Sequence, residues 1–202
     1  IIARATPLDV LVKAAEALLK AGVRLLETTF DHRLHNPIAE NAEKIAALEK
    51  AFGGRLLIGA GTVLSEEEAQ AAFDAGAKFI ISPNTNERVV ARTKKLGMLS
   101  IPGAATATEV CAAWDMGADI VKFFPADDLG FHYIQNLRGP LPHIPLIATG
   151  GVNPVTIPRL LELGVAAVGT GITVLRPDLL EAKDYAGIET LAKMHVDAVR
   201  LR

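Results

Sequence analysis

Short apolar runs alternate with longer amphipathic segments along this chain, and the alternation repeats. An Ala-rich amphipathic stretch ends in a glycine, and an apolar run of strand length follows within a few residues. The unit appears at Lys20-Ala21-Gly22 before residues 23–30, at Asp74-Ala75-Gly76 before 78–82, and at Lys95-Leu96-Gly97 before 98–101. It recurs at Asp115-Met116-Gly117 before 119–124 and at Glu162-Leu163-Gly164 before 165–168. A helix that ends on a left-handed glycine accounts for the glycine. Gly53-Gly54 plays the same part before residues 56–60, Pro142 to Pro145 introduces 146–149, and residues 1–4 read as the end of a first strand. These make eight strands. Each is a continuous apolar run, as parallel strands covered on both faces require.

Helix starts agree with this register. Thr6-Pro7, Ser65-Glu66-Glu67-Glu68, residues 84–87, residues 106–109 and Asn153-Pro154 combine capping residues with proline or acids in the first turn. Eight strand–helix alternations in 202 residues predict a small (β/α)8 TIM barrel spanning 1–202 as one domain. A doubly wound open sheet is the alternative.

Composition narrows the function. Half of the residues are hydrophobic but only 5% are aromatic, so Ala, Val, Leu and Ile build the core. The 21 basic and 23 acidic residues are mixed along the chain, which gives no electrostatic case for nucleic acid or an anionic membrane. The lone Cys111 between Val110 and Ala112 reads as small apolar filler. No stretch is long and apolar enough to span a bilayer, and no signal peptide is visible, so the cytoplasm is the expected compartment. The chain opens at Ile1 without a methionine, which allows for a preceding segment.

One residue breaks the apolar pattern. Lys122 stands in the middle of Ile120-Val121-Lys122-Phe123-Phe124. Burying an ammonium costs several kcal/mol unless it is paired or deprotonated. Desolvation lowers a lysine pKa, and a neutral amine can form a Schiff base. An edge strand with Lys122 turned to water is the plainer alternative.

In a (β/α)8 barrel the chemistry sits where strands hand over to helices. Those junctions carry Arg4, Glu27-Thr28-Thr29-Phe30, Gly59-Ala60-Gly61-Thr62, Ser82-Pro83-Asn84, Pro102-Gly103, Lys122 to Pro125, Thr149-Gly150-Gly151 and Gly169-Thr170-Gly171. Side chains alternate along a strand, so an inward Lys122 takes Ile120 and Phe124 with it, and Leu25, Glu27 and Thr29 share a face. Glu27 then offers a buried carboxylate as a general base, or else a structural ion pair with Lys122. Arg4 presents a fork of donors suited to a carboxylate, with a solvated arginine as the alternative. Thr62 follows a glycine turn that lets a ligand approach. Gly150, Gly151 and Gly171, with exposed amides at the helix start near Asn153, suit an anion.

Together these pieces resemble the 2-keto-3-deoxy-6-phosphogluconate (KDPG) and 4-hydroxy-2-oxoglutarate (KHG) aldolase family. The resemblance runs from Arg4 to about Pro177, through Leu26-Glu27-Thr28-Thr29-Phe30, Ile58-Gly59-Ala60-Gly61-Thr62-Val63, Ile81-Ser82-Pro83, Ile101-Pro102-Gly103, Val121-Lys122-Phe123-Phe124-Pro125-Ala126 and Thr149-Gly150-Gly151-Val152. It implies a cofactor-free, metal-free, homotrimeric class I aldolase acting on small 2-keto acids. Lys122 would form the Schiff base and Glu27 would shuttle protons. Thr62 and an arginine would hold the substrate carboxylate, Pro83 and Phe124 would shape the pocket, Thr149 would contact hydroxyls, and Gly150, Gly151 and Gly171 would receive a distal phosphate.

Three positions depart from the family pattern. Asp31 stands where many members carry an arginine, which moves the carboxylate role to Arg4, with Arg33 in reserve. The segment between Glu27 and Thr62 is several residues longer than usual, and its stretch from Asp31 to Asn36 reads as a remodelled lid over the mouth. Ile172 replaces a serine expected to contact phosphate, a loss that Thr170 or Thr173 could make good. Rival readings are a barrel isomerase, with Glu27 as base and Lys122 as an electrostatic stabiliser, and a non-catalytic binding or assembly module.

Overall fold

The computed structural model describes residues 1–200. Its strands are β1 Ile2–Ala3, β2 Leu25–Thr29, β3 Leu57–Gly61, β4 Phe79–Ile81, β5 Leu99–Ile101, β6 Gly103–Ala104, β7 Val121–Phe123, β8 Leu146–Thr149 and β9 Ala167–Gly169. The helices are α1 Leu8–Lys20, α2 Pro37–Phe52, α3 Glu66–Asp74, α4 Glu87–Lys95, α5 Ala107–Asp115, α6 Ala126–Arg138, α7 Thr156–Glu162, α8 Pro177–Glu181 and α9 Tyr185–Arg200. Strands β1 to β5 pair in order, as do β6 to β9, and every pairing is parallel.

Two joints turn these ladders into one barrel. Ile2 N donates to Thr170 O over 2.8 Å, which seals the first strand to the turn after the last. At the other joint, β5 and β6 are one stave interrupted by Pro102. Asp119 N donates to Ser100 O over 2.9 Å and Lys122 N to Pro102 O over 2.8 Å, so the chain from β7 runs past the break. The eight-strand expectation therefore holds with one correction. The fifth strand does not stop at Ile101 but resumes as Gly103–Ala104 beside Lys122 and Phe123. Proline lacks an amide hydrogen and splits the ladder there.

The helix stops are as read. Gly22, Gly76, Gly97, Gly117 and Gly164 all have positive φ, between 75 and 104°. Ser65 and Thr106 form complete capping boxes with Glu68 and Glu109. At α4 the cap is Asn86, and at α1 Pro7 occupies the cap position without a side-chain bond. Small residues such as Ala14, Ala15 and Ala192 are fully buried where helices pack on the strands and on each other.

Inside the barrel, Phe79, Ile81 and Ile101 pack with Ile120 and Ile147. Val121 and Phe123 belong instead to the shell between strands and helices. That division confirms the alternation expected for β7 and turns Lys122 inward. Cys111 is half-buried beside the same shell. No described helix is long and apolar enough to cross a membrane.

Candidate active site

The centre of β7 places Lys122 inside the barrel, 7% exposed, with Gly103 on one side of it and Ile147 on the other. Across the barrel, β2 turns Glu27 inward at 3% exposure. Glycines make room for both. Gly59 lies beside Glu27 in register, and a Cβ on it would sit 2.2 Å from the Phe79 ring. Gly61 stands over the carboxylate, 2.8 Å from Cδ to the place its own Cβ would occupy. On the other wall Gly103 is pressed against Pro83, whose carbonyl oxygen would be 2.3 Å from a Cβ there. Pro83 thus comes within one residue of the stave that flanks Lys122.

Neither the Lys122 amine nor the Glu27 carboxylate makes a hydrogen bond or a direct ion pair among the described residues, and Glu27 Oε2 is buried without a partner. A structural ion pair, the plainer reading of these two groups, is not formed. The edge-strand alternative for Lys122 also fails, because the lysine is buried between neighbouring strands. Burial pushes the Glu27 carboxyl above the usual carboxylate range, against the pull of Lys122 and Arg4. Burial pushes the Lys122 amine below the usual lysine value, aided by Arg4 and opposed by Glu27. Each group is therefore moved toward its neutral form while feeling the other's charge. Phe124, at the end of the same stave, holds its ring centroid 5.0 Å from Lys122 Nζ.

The remaining expected residues surround this pair. Arg4 Nη2 donates to Thr62 Oγ1 over 3.4 Å, which joins the ends of the first and third strands. Thr62 has φ +59, a left-handed turn that follows Gly61 directly. Thr149 is 6% exposed, and its hydroxyl lies 2.9 Å from where a Cβ on Gly169 would sit. Gly150 (φ +100) closes on Pro125 and Ala126, and Gly151 (φ +68) on the Asp127 side chain. Gly171 lies against Ile2 O, 2.7 Å from the place of a Cβ. Eight of the ten expected residues thus lie at or just beyond the carboxyl ends of the strands, and Lys122 and Glu27 stand at the middle of β7 and β2. Thr29, on the Glu27 face of β2, adds a buried hydroxyl that has no partner among the described residues, and a threonine two residues from an inward carboxylate is the signal for it.

Two expectations about anion donors change. The amides of Val155 and Thr156 are not open at the start of α7, because Asn153 Oδ1 accepts from both, at 2.9 and 3.2 Å. The Thr170 and Thr173 hydroxyls turn inward to Val152 O rather than toward the mouth. The Ile172 side chain is 73% exposed at the same turn.

The segment from Asp31 to Asn36 engages its own neighbours. Arg33 grips Asp31 in a bidentate pair, Nε to Oδ1 at 2.8 Å and Nη2 to Oδ2 at 2.6 Å, which holds the Asp31 carboxyl at about 2. His32 Nε2 lies 2.7 Å from Oε1 of the buried Glu68, whose other oxygen accepts from Leu64 and Ser65 amides. This segment thus leans on the loop that carries Thr62.

Comparison with known proteins follows the same line. Residues 2–191 match the family described as KDPG and KHG aldolase. A 2-dehydro-3-deoxy-6-phosphogalactonate aldolase of Escherichia coli (strain K12) is 37% identical over 165 residues, 80% of this chain and 79% of that protein. A solved structure described as native KDPGal superposes with a TM-score of 0.88 at 31% identity, covering 98% of this chain and 92% of the other. A KDPG aldolase from Legionella pneumophila, with pyruvate captured as a covalent carbinolamine intermediate, gives 0.83 at 28% identity over 95% and 90%. Sequence, barrel and family match agree, and the chain belongs to the KDPG and KHG aldolase family.

Proposed function

We propose that Lys122 carries the Schiff base of this aldolase and that Glu27 moves its protons. The substrate is a 2-keto-3-deoxy sugar acid, phosphorylated at its far end, or the shorter 4-hydroxy-2-oxoglutarate. The neutral amine of Lys122 attacks the C2 carbonyl, and loss of water leaves a protonated imine. Glu27 takes the C4 hydroxyl proton. The C3–C4 bond then breaks, its electron pair moves toward the imine to form an enamine, and an aldehyde departs. Glu27 returns the proton to C3, and hydrolysis frees pyruvate and Lys122.

The observation that carries this reading is the pair itself: an amine and a carboxyl, both buried in one barrel, both pushed toward neutrality, and without a hydrogen bond or ion pair among the described residues. Arg4 and Thr62 hold the keto-acid carboxylate, Phe124 and Pro83 wall the pocket, and Thr149 meets a substrate hydroxyl. The backbone amides around Gly150, Gly151 and Gly171 receive the distal group. A single-domain homotrimer working in the cytoplasm completes the picture, with exposed apolar side chains such as Phe131 and Val155 available for an assembly to cover. Pyruvate release, followed with coupled lactate dehydrogenase, tests the reaction. The expected result is turnover of 2-keto-3-deoxy-6-phosphogluconate, its phosphogalactonate epimer or 4-hydroxy-2-oxoglutarate. Release from none of the three contradicts it.

A further inference from the structure

The turns after β8 and β9 are tied together from behind by a hydrogen-bond chain that starts on α9. His195 in that helix is 5% exposed, and its Nδ1 lies 2.8 Å from Leu191 O. A carbonyl only accepts, so Nδ1 carries a hydrogen and donates to it. Thr173 Oγ1 lies 3.1 Å from His195 Nε2. The same oxygen is 2.6 Å from Thr170 Oγ1, and Val152 O lies 3.0 Å from the Thr170 hydroxyl and 3.3 Å from that of Thr173, so the two hydroxyl protons are shared among these contacts. The chain thus runs from α9, across the turn that holds Gly171, to the turn that holds Gly150 and Gly151.

None of these groups is used by the aldol chemistry. Burying an imidazole is costly unless both nitrogens are satisfied. Here one nitrogen is satisfied within α9, and the other is spent on a loop at the mouth of the barrel. The β8–β9 ladder ends at Thr149 and Gly169. Beyond that point the side-chain chain is what joins the two turns.

We infer that His195 is a positioning residue for the distal end of the substrate. It orients Thr173 and Thr170, and through them sets the spacing of the two glycine turns whose amides meet the far end of the 2-keto acid. This rests on the proposed reading of Gly150, Gly151 and Gly171 as the distal subsite. The pyruvate half of the substrate never reaches that subsite, so the two halves of the reaction separate the effects.

The test uses Thr173→Val, Thr173→Ser and His195→Gln in the whole chain. The probe is whichever of the three 2-keto acids named above the wild type turns over fastest. Thr173→Val and His195→Gln should raise KM for that probe by about tenfold with little change in kcat. Borohydride trapping of pyruvate should stay within about twofold of wild type, and Thr173→Ser should restore KM. An unchanged KM in soluble, folded Thr173→Val overturns the inference. So does an equal loss in KM and in pyruvate trapping, because a general structural role moves both. If His195→Gln fails to fold, the Val and Ser pair at position 173 still decides. A wild type that forms no pyruvate adduct overturns the aldolase reading beneath the inference, an outcome distinct from an adduct with unchanged KM.

Discussion

The carboxylate of Glu27 occupies the space that a side chain on Gly61 would fill. A Cβ built on Gly61 lies 2.8 Å from both Cδ and Oε1 of Glu27, while one built on Gly59, two residues earlier, strikes the Phe79 ring at 2.2 Å. Two glycines of one strand therefore serve different ends, the first packing and the second the placement of the Glu27 carboxylate. Gly61→Ala should displace the carboxylate and lower turnover by about 10²-fold, within the range ascribed to a positioned general base, while pyruvate trapping on Lys122 persists. Gly59→Ala should show its effect in urea denaturation, losing about 1–3 kcal/mol to overpacking. The two variants exchanging these phenotypes would refute the assignment.

The pH dependence of imine formation follows from the neighbours of Lys122. Only the neutral amine attacks, so the trapping rate with pyruvate rises as Lys122 loses its proton. Burial already moves that step below the ordinary lysine value, and the Glu27 charge moves it part of the way back. Glu27→Gln removes the charge that holds the proton on, so the rising limb should shift to lower pH. Arg4→Met removes a charge that drives the proton off, so the limb should shift to higher pH. Shifts in the same direction would show that the two side chains do not act on Lys122 as described.

Thr62 and Arg4 act together on the carboxylate in this account. Thr62→Ala takes away the hydroxyl that accepts from Arg4. The concentration of pyruvate that half-saturates borohydride trapping should rise about tenfold, the scale of one charge-assisted hydrogen bond, with the saturated rate unchanged. A fall in the saturated rate alone would place Thr62 in the chemistry instead.

The segment from Asp31 to Asn36 and the Thr62 loop share Glu68. Its carboxylate accepts from the Leu64 and Ser65 amides and meets His32. Glu68→Ala should cost about 2 kcal/mol in urea denaturation, as a lost cap and orphaned amides require. It should also raise the half-saturating pyruvate concentration, because the turn at Thr62 loosens. A stability loss with unchanged half-saturation would separate the cap from the site.

Much of this was legible in the chain. The barrel could be read because most helices end on a glycine and the strands are short, largely apolar runs. Glu27 and Lys122 stood out because a charge inside an apolar strand run has few structural excuses. The Pro102 interruption was harder to see, since Gly103–Ala104 has no strand signal of its own and is held by backbone bonds from β7. Thr173, turned inward with Thr170, meets His195, 22 residues further along the chain. The anchoring of His32 depends on Glu68, 36 residues away. Such pairings are made by the closed fold, and no local pattern announces them.

The central claim is that Lys122 is the Schiff-base lysine, and mass spectrometry after borohydride reduction tests it most directly. Wild-type protein incubated with pyruvate and reduced should gain one pyruvate-derived adduct, mapped to the peptide containing Lys122. Lys122→Arg, folded to the same degree, should gain none and should lose retro-aldol turnover. An adduct on another lysine, or turnover that survives in Lys122→Arg, would contradict the account.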